Sequence, residues 1–221
     1  MQFKIHKEGK IYFIISMILT IIVIPFSFIF GIILFIFSIY IFYFFRNPTR
    51  YIPVEDIIVS PADGVITYIG PCKGPEKLDN NKFIKISIFL NIFNVHVNRI
   101  PTDGEIKKIK YIHGKFINAT LDKSSKDNER NIICIENKNK EIIYVTQIAG
   151  MIARRIICDI RENQIVKKGD RFGIIKFGSR VDLYLPENYK IMVSKGQIVV
   201  GGETMIANPN NINEIKSSIK N

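Results

Sequence analysis

The sequence predicts a mainly β domain carried behind an N-terminal transmembrane helical hairpin. Three observations support this. A long apolar run opens the chain, short alternating runs between turn residues fill the rest, and one Gln-Ile-Val segment occurs twice, each time ahead of a glycine turn.

The apolar run comes first. From Ile11 to Phe45 no residue is charged. One helix of about 35 residues would reach roughly 52 Å, well beyond a hydrocarbon core of about 30 Å. Pro25 near the middle and Gly31 beyond it favour a break. Lys4, Lys7 and Lys10 precede the run, and Arg46 and Arg50 follow it. Cations at both ends place both on the cytoplasmic side. The expectation is a membrane anchor over residues 1–46, as two short spans or a re-entrant loop, with a cytoplasmic domain over 47–221. A single long span with the domain outside is the competing topology. A cleaved leader does not fit, because the run exceeds a signal core and no Ala precedes Ala62 to make a cleavage site.

Composition narrows the partners. The chain has 221 residues, is 47% hydrophobic and carries a formal net charge of +11. With no RNA-binding signature, zinc spacing or basic helix, this excess favours an anionic membrane surface over nucleic acid. Cys72, Cys134 and Cys158 are odd in number and form no Cys-x-x-Cys. They argue against a disulfide framework or a metal site and suit a reducing compartment.

Behind the linker "NPTRYIP" (47–53), "DIIVSPADGVITYIG" predicts two strands around Pro61 and an Asp63-Gly64 turn. "KFIKISIFL" is a strand, and "NVHVNRIPTDGEIKKIKYIHG" is strand, turn at Asp103-Gly104, strand. "LDKSSKDNERN" is a polar loop, "NIICIENKNKEIIYVTQIAG" is a hairpin, and "MIARRIICDI" suits either helix or strand. "QIVKKGDRFGII" from Gln164 and "QIVVGGETMIA" from Gln197 repeat one strand–turn–strand pattern. Such a repeat predicts a pseudo-symmetric barrel-sandwich of the lipoyl or biotinyl carrier type, though no Lys sits between methionines as a carrier would need. Between the copies, "KFGSRVDLYLP" (176–186) reads as a strand interrupted by Gly178-Ser179, the pattern of a β-bulge.

Three histidines are available for chemistry. His6 reads as a surface residue and His113 as a solvated turn residue. His96 alternates with Asn94 and Asn98, so one strand face is polar. That face either meets solvent or lines a site. Asp63 either caps its own turn or, with His96 and Ser179, completes an acid–base set in which a carboxylate orients an imidazole that takes a hydroxyl proton. No Gly-x-Ser-x-Gly elbow is present.

Taken together, "SPADG", "FNVHVNRIP", "GKFINATLDKSSKDNERN", "QIAGMIARRIIC", "GDRFGIIKFGSRVDLYLP" and "GQIVVGGETMIA" resemble the blocks of the phosphatidylserine decarboxylases, in family order and from Ser60 to Ala207. The resemblance is to their short, membrane-anchored branch, in which Arg180 stands where the longer branch has Thr. The longer branch carries a further His shortly before the one matching His96, and Phe93 stands near that place here, so a role for that His does not transfer.

The resemblance implies autocatalytic cleavage between Gly178 and Ser179. Ser179 attacks the Gly178 carbonyl with His96 as base, held by Asp63. The ester eliminates, and loss of ammonia to water leaves a pyruvoyl group at position 179. The product is a heterodimer of a large chain (1–178) and a small chain (179–221). Phosphatidylserine would form a Schiff base with that group, lose carbon dioxide, take a proton from His96 and leave as phosphatidylethanolamine, with no metal. Arg154 and Arg155 either bind the lipid phosphate or are a solvated surface pair. Rival readings are an archaetidylserine decarboxylase, a membrane-anchored adaptor and a membrane serine peptidase.

Overall fold

The computed structural model describes residues 4–78, 81–114, 127–150, 155–176, 179–209 and 218–220. The chain divides into two compact units with a boundary between Thr49 and Arg50.

The first unit holds β1 (Lys4–Ile5), α1 (Lys7–Val23), α2 (Phe28–Phe44) and β2 (Arg46–Asn47). His6 caps α1, its Nδ1 accepting a hydrogen bond from the Glu8 amide, and is buried rather than on the surface. The helices separate at the turn containing Pro25, and Ser27 takes up extended backbone before α2. Gly31 plays a different part from the break expected of it. It lies within α2, where a Cβ would come within 2.8 Å of Ile24. The hairpin buries small and hydroxyl residues, Gly9, Ser16 and Thr20 on α1 and Gly31 and Ser38 on α2. Phe26, Phe28, Ile29 and Phe30 are among the side chains left exposed.

The expectation of membrane-spanning helices is corrected by their length. Each helix has 17 residues, roughly 26 Å at 1.5 Å per residue, against a hydrocarbon core of about 30 Å. No helix among the described residues is long and apolar enough to cross a membrane.

The second unit is mainly β. It begins with β3 (Tyr51–Pro53), β4 (Ile58–Val59), β5 (Gly64–Lys73), β6 (Lys82–Leu90) and β7 (Val97–Arg99). Then come β8 (Gly104–Ile112), β9 (Arg130–Asn137), β10 (Ile142–Ala149), β11 (Ile156–Cys158) and β12 (Ile165–Val166). The last are β13 (Arg171–Ile175), β14 (Ser179–Pro186), β15 (Lys190–Ile191), β16 (Ile198–Val199), β17 (Met205–Asn208) and β18 (Ser218–Lys220).

An antiparallel sheet of eight strands, ordered β12-β8-β9-β10-β14-β6-β5-β16, curls into a half-barrel. Smaller sheets, β11-β13-β7, β15-β17-β4 and β18-β3, complete the unit. Alternate residues of the long strands, such as Ile133 and Ile135, Val145, and Val181 and Leu183, form one apolar core with Phe172 and Ile206. Of the segment left open between helix and strand, Ile156–Cys158 is strand, and 151–154 lie outside the described residues. Most of the expected polar loop, 121–126, also lies outside them.

The repeated Gln-Ile-Val segments become the two edge strands of the large sheet. Val166 pairs with Gly104 and Val199 pairs with Gly64. The carbonyl of Gln164 accepts from Ile106 N–H at 2.9 Å, and that of Gln197 accepts from Ile66 N–H at 3.0 Å. Gly169 and Gly202 occupy matching left-handed positions, with φ of +85° and +83°. Both Asp-Gly pairs lead into strands. Gly64 and Gly104 are needed for close approach, since a Cβ would meet the carbonyl oxygen of Phe89 at 2.2 Å and that of Glu136 at 2.3 Å.

Candidate functional site

A turn built from asparagines delivers His96. The Asn91 amide donates to Asn94 Oδ1 and the Phe93 amide donates to Asn91 Oδ1, both at 2.8 Å. These bonds turn the chain sharply after β6 and bring His96 to the start of β7. The polar face then points inward, with His96 and Asn98 fully buried. His96 Nδ1 lies 3.0 Å from the Asn94 carbonyl oxygen. A carbonyl only accepts, so Nδ1 carries a proton in this contact. The His96 carbonyl in turn accepts from Ile175 N–H at 3.4 Å, which sets His96 beside the end of β13.

Ser179 is the first residue of β14, opposite Ala149 in β10 and Leu90 in β6. It is fully buried, and its Oγ has no hydrogen-bond partner among the described residues. Its parity along the strand is that of Val181 and Leu183, so it faces the half-barrel interior. Gly178 lies outside the described residues.

A chain of buried amides crosses the interior near this serine. Asn131 Nδ2 donates to Gln147 Oε1 at 3.0 Å, and Gln147 Nε2 donates to Asn98 Oδ1 at 2.8 Å. All three are at most 1% exposed, so each bond is made in a dry setting where a missing partner would be costly. Gln147 is two residues along β10 from Ala149, the partner of Ser179, and Asn98 is the middle residue of β7, two residues after His96. The sequence reading passed over Gln147 and Asn131. Their signal is a polar residue at an inward position of an otherwise apolar alternation.

Asp63 is placed differently from the expected triad. Its carboxylate is bound by Arg50 Nη2 at 2.9 and 2.7 Å and accepts from Gly201 N–H at 2.8 Å. Among the described residues no hydrogen bond joins Asp63 to His96. The bond to Gly201 has a counterpart in the other half of the repeat, where Asp103 Oδ1 accepts from Lys168 N–H at 2.7 Å. Lys168 precedes Gly169 as Gly201 precedes Gly202. What sets Asp63 apart from its twin is Arg50. Nearby, Arg99 donates to the Gly169 carbonyl at 2.8 Å. Burial, reinforced by Arg171 and Arg50, lowers its pKa to about 10.

The remaining candidates lie apart from this constellation. His113 is solvent-exposed, as expected of a turn residue. Arg155 is exposed, and Arg154 lies outside the described residues.

At the head of a central strand lies a buried hydroxyl with no hydrogen-bond partner among the described residues, and the buried His96 lies just ahead of β7, its carbonyl bonded to the end of β13. The family model described as phosphatidylserine decarboxylase matches residues 37–207, and the chain belongs to that family. A relative from Wolbachia sp. subsp. Brugia malayi is 50% identical over 215 residues, covering 95% of this chain and 93% of the relative. One from Ehrlichia chaffeensis is 53% identical over 207 residues, 92% of this chain and 91% of its own. One from Rickettsia typhi is 48% identical over 206 residues, 92% and 89%. All three bear the name phosphatidylserine decarboxylase proenzyme.

Proposed function

We propose that this chain is made as a proenzyme, cuts itself between Gly178 and Ser179, and then decarboxylates phosphatidylserine to phosphatidylethanolamine. The observation that carries this reading is the Ser179 hydroxyl, fully buried and without a hydrogen-bond partner among the described residues. A buried hydroxyl left unsatisfied in a core is costly, and a role as nucleophile accounts for its retention. The names of the relatives support the same substrate and the same proenzyme processing.

In this reading Ser179 Oγ attacks the carbonyl carbon of residue 178, and His96 Nε2 takes the hydroxyl proton. The Asn94 carbonyl, by holding Nδ1–H, keeps the ring in the tautomer that can act as base. The amide nitrogen leaves the carbonyl as the serine oxygen joins it; loss of the Ser179 α-proton then expels the carboxylate of residue 178 from Cβ, and the dehydroalanine left at 179 takes up water and releases ammonia to give a ketone. The residue at the head of β14 suits a pyruvoyl group, since Ser179 faces an enclosed interior. That group supplies a carbonyl able to condense with the substrate amine and draw electrons as carbon dioxide departs. His96 returns a proton to the substrate carbon. His96→Ala is expected to slow cutting by about 10²–10⁴-fold, the contribution typical of a positioned base, with denaturing gels following the two fragments. Cutting at the native rate would remove His96 from this role.

The hairpin serves as the anchor, entering the membrane from the cytoplasmic side as a re-entrant loop. Support comes from its pattern, with Gly9, Ser16, Thr20, Gly31 and Ser38 buried and most Phe and Ile outward, Ile41, Phe44 and Phe45 being buried at the end of α2. Its short helices bring both ends back to the side from which they started. The two-fold repeat supports a barrel-sandwich for the β unit. Single reporter cysteines at positions 10 and 54 should both label from the cytoplasmic side only. Labelling of position 54 from outside would reject this topology.

A further inference from the structure

The eight-stranded sheet has a second face that the proposed chemistry does not use. Along β14, Ser179, Val181 and Leu183 face the core, so Arg180, Asp182 and Tyr184 face the other way. On that side a cavity of about 710 Å³ opens over the end of β5, Lys85 of β6, the start of β9 and the middle of β10. This volume lies within the range of roughly 300–1,000 Å³ for small-molecule sites.

The floor of the cavity is polar and incompletely satisfied. Thr146 is 2% exposed, and its Oγ1 has no hydrogen-bond partner among the described residues. Arg130 is 5% exposed. Its Nη1 donates to the Asn128 carbonyl and its Nη2 pairs with Glu76, while Nε has no partner among the described residues. Arg130 pairs with Ile148 and Thr146 pairs with Ile132, so the two donors are diagonal neighbours on one face. Two buried donors on neighbouring strands, both lacking acceptors, call for an anionic oxygen.

Charge agrees with this. Lys73 and Lys85 join Arg130 in lining the cavity, and among the described residues Glu76 is the only acidic one in its lining. Beneath it, Asp182 is taken up by Arg180, whose Nε lies 2.9 Å from the carboxylate. Cys72 adds no negative charge, because burial pushes its thiol up to about 11. Ile132 and Pro75 give the cavity apolar walls beside the cations. A free phosphate would leave most of that volume and those walls unused.

We infer that this cavity is a binding site for a phosphate ester of glycerol, the headgroup portion of an anionic phospholipid, on the opposite sheet face from Ser179. Arg130 Nε and the Thr146 hydroxyl bind the phosphate oxygens, Lys73 and Lys85 balance their charge, and the glycerol lies along Ile132 and Pro75. The site is separate from the proposed substrate chemistry and does not depend on it.

The test is a binding titration of the full-length protein in detergent, with sn-glycerol 3-phosphate, a short-chain diacylglycerol phosphate and inorganic phosphate as separate probes. The two esters should saturate, at least about tenfold more tightly than inorganic phosphate. Thr146→Val and Lys85→Gln should each weaken ester binding by about tenfold, with an unchanged melting temperature as the check on folding. Inorganic phosphate binding as tightly as the esters would overturn the headgroup assignment and mark a free-anion site. Absence of saturable binding, or binding that neither variant weakens, would overturn the site itself. Intact mass from the same preparation separates this inference from the proposed function. An uncut chain that still binds the esters defeats the reading of Ser179 and leaves the cavity assignment standing.

Discussion

Ser179→Ala is expected to give a single uncut chain of full length, with no decarboxylase activity and undiminished stability. The two halves of this outcome have separate causes. Loss of cutting follows from removal of the only atom proposed to attack residue 178. Retained stability follows from the surroundings of the hydroxyl. It is fully buried and has no hydrogen-bond partner among the described residues, so its removal breaks no bond and relieves an unsatisfied group. The β14 pairings run along the backbone, from Ser179 opposite Leu90 to Pro186 opposite Phe83, and are indifferent to the change. Intact-mass spectrometry beside thermal unfolding reads both quantities. Wild-type protein should yield a fragment of residues 179–221 with a blocked N-terminus. If the alanine variant is cut, or if uncut wild-type protein turns over lipid, the proposed chemistry is wrong.

Substitution of Asp63 should produce the largest loss of stability. Asp63→Ala leaves the Arg50 guanidinium, whose side chain is 9% exposed, without its ion pair, and takes the acceptor from Gly201 N–H. Breaking one side of such a buried pair costs about 3–5 kcal/mol. Asp63→Asn keeps an oxygen for Gly201 and should cost less. Pairing Asp63→Asn with Arg50→Met removes the stranded charge and should recover much of the loss. Urea denaturation of the uncut Ser179→Ala background gives these values free of processing, and cutting rates in the native background complete the comparison. The structure predicts that cutting falls only as far as folding does. An Asp63→Asn protein that folds normally yet never cuts would instead give the carboxylate the orienting role over His96 that the family resemblance implied.

These expectations show which parts of the molecule could be read along the chain. The break at Pro25 was legible because proline constrains its own backbone. The edge strands were legible because Gln164 and Gln197 each begin the same short pattern, and local patterns are what a sequence displays. Gly31 misled because a helix glycine reads alike whether it breaks the helix or admits a neighbour, and here Ile24 is that neighbour. The partners of Asp63 were not legible at all. Arg50 is 13 positions away and Gly201 is 138, and nothing local announces either. His96 was an intermediate case. Alternation put it on one face with Asn98, but a polar face looks the same on paper whether it meets water or, as here, the amide of Gln147. Helix length escaped prediction because the uncharged run does not mark helix ends, and α1 starts ahead of it at Lys7.

The place of β14 between β10 and β6 has a consequence for the lifetime of the protein. A cut ahead of Ser179, as proposed, would leave the small chain as an inner stave of the half-barrel, laced on both sides to strands of the large chain. It cannot slip out without tearing the sheet open, and once out it must find its slot again as a separate molecule at cellular dilution. The continuous chain makes that insertion a local matter; a cut chain would lack the tether. In the proposed processing, the persistence of the cut protein would then be set by how slowly it opens rather than by how readily it closes.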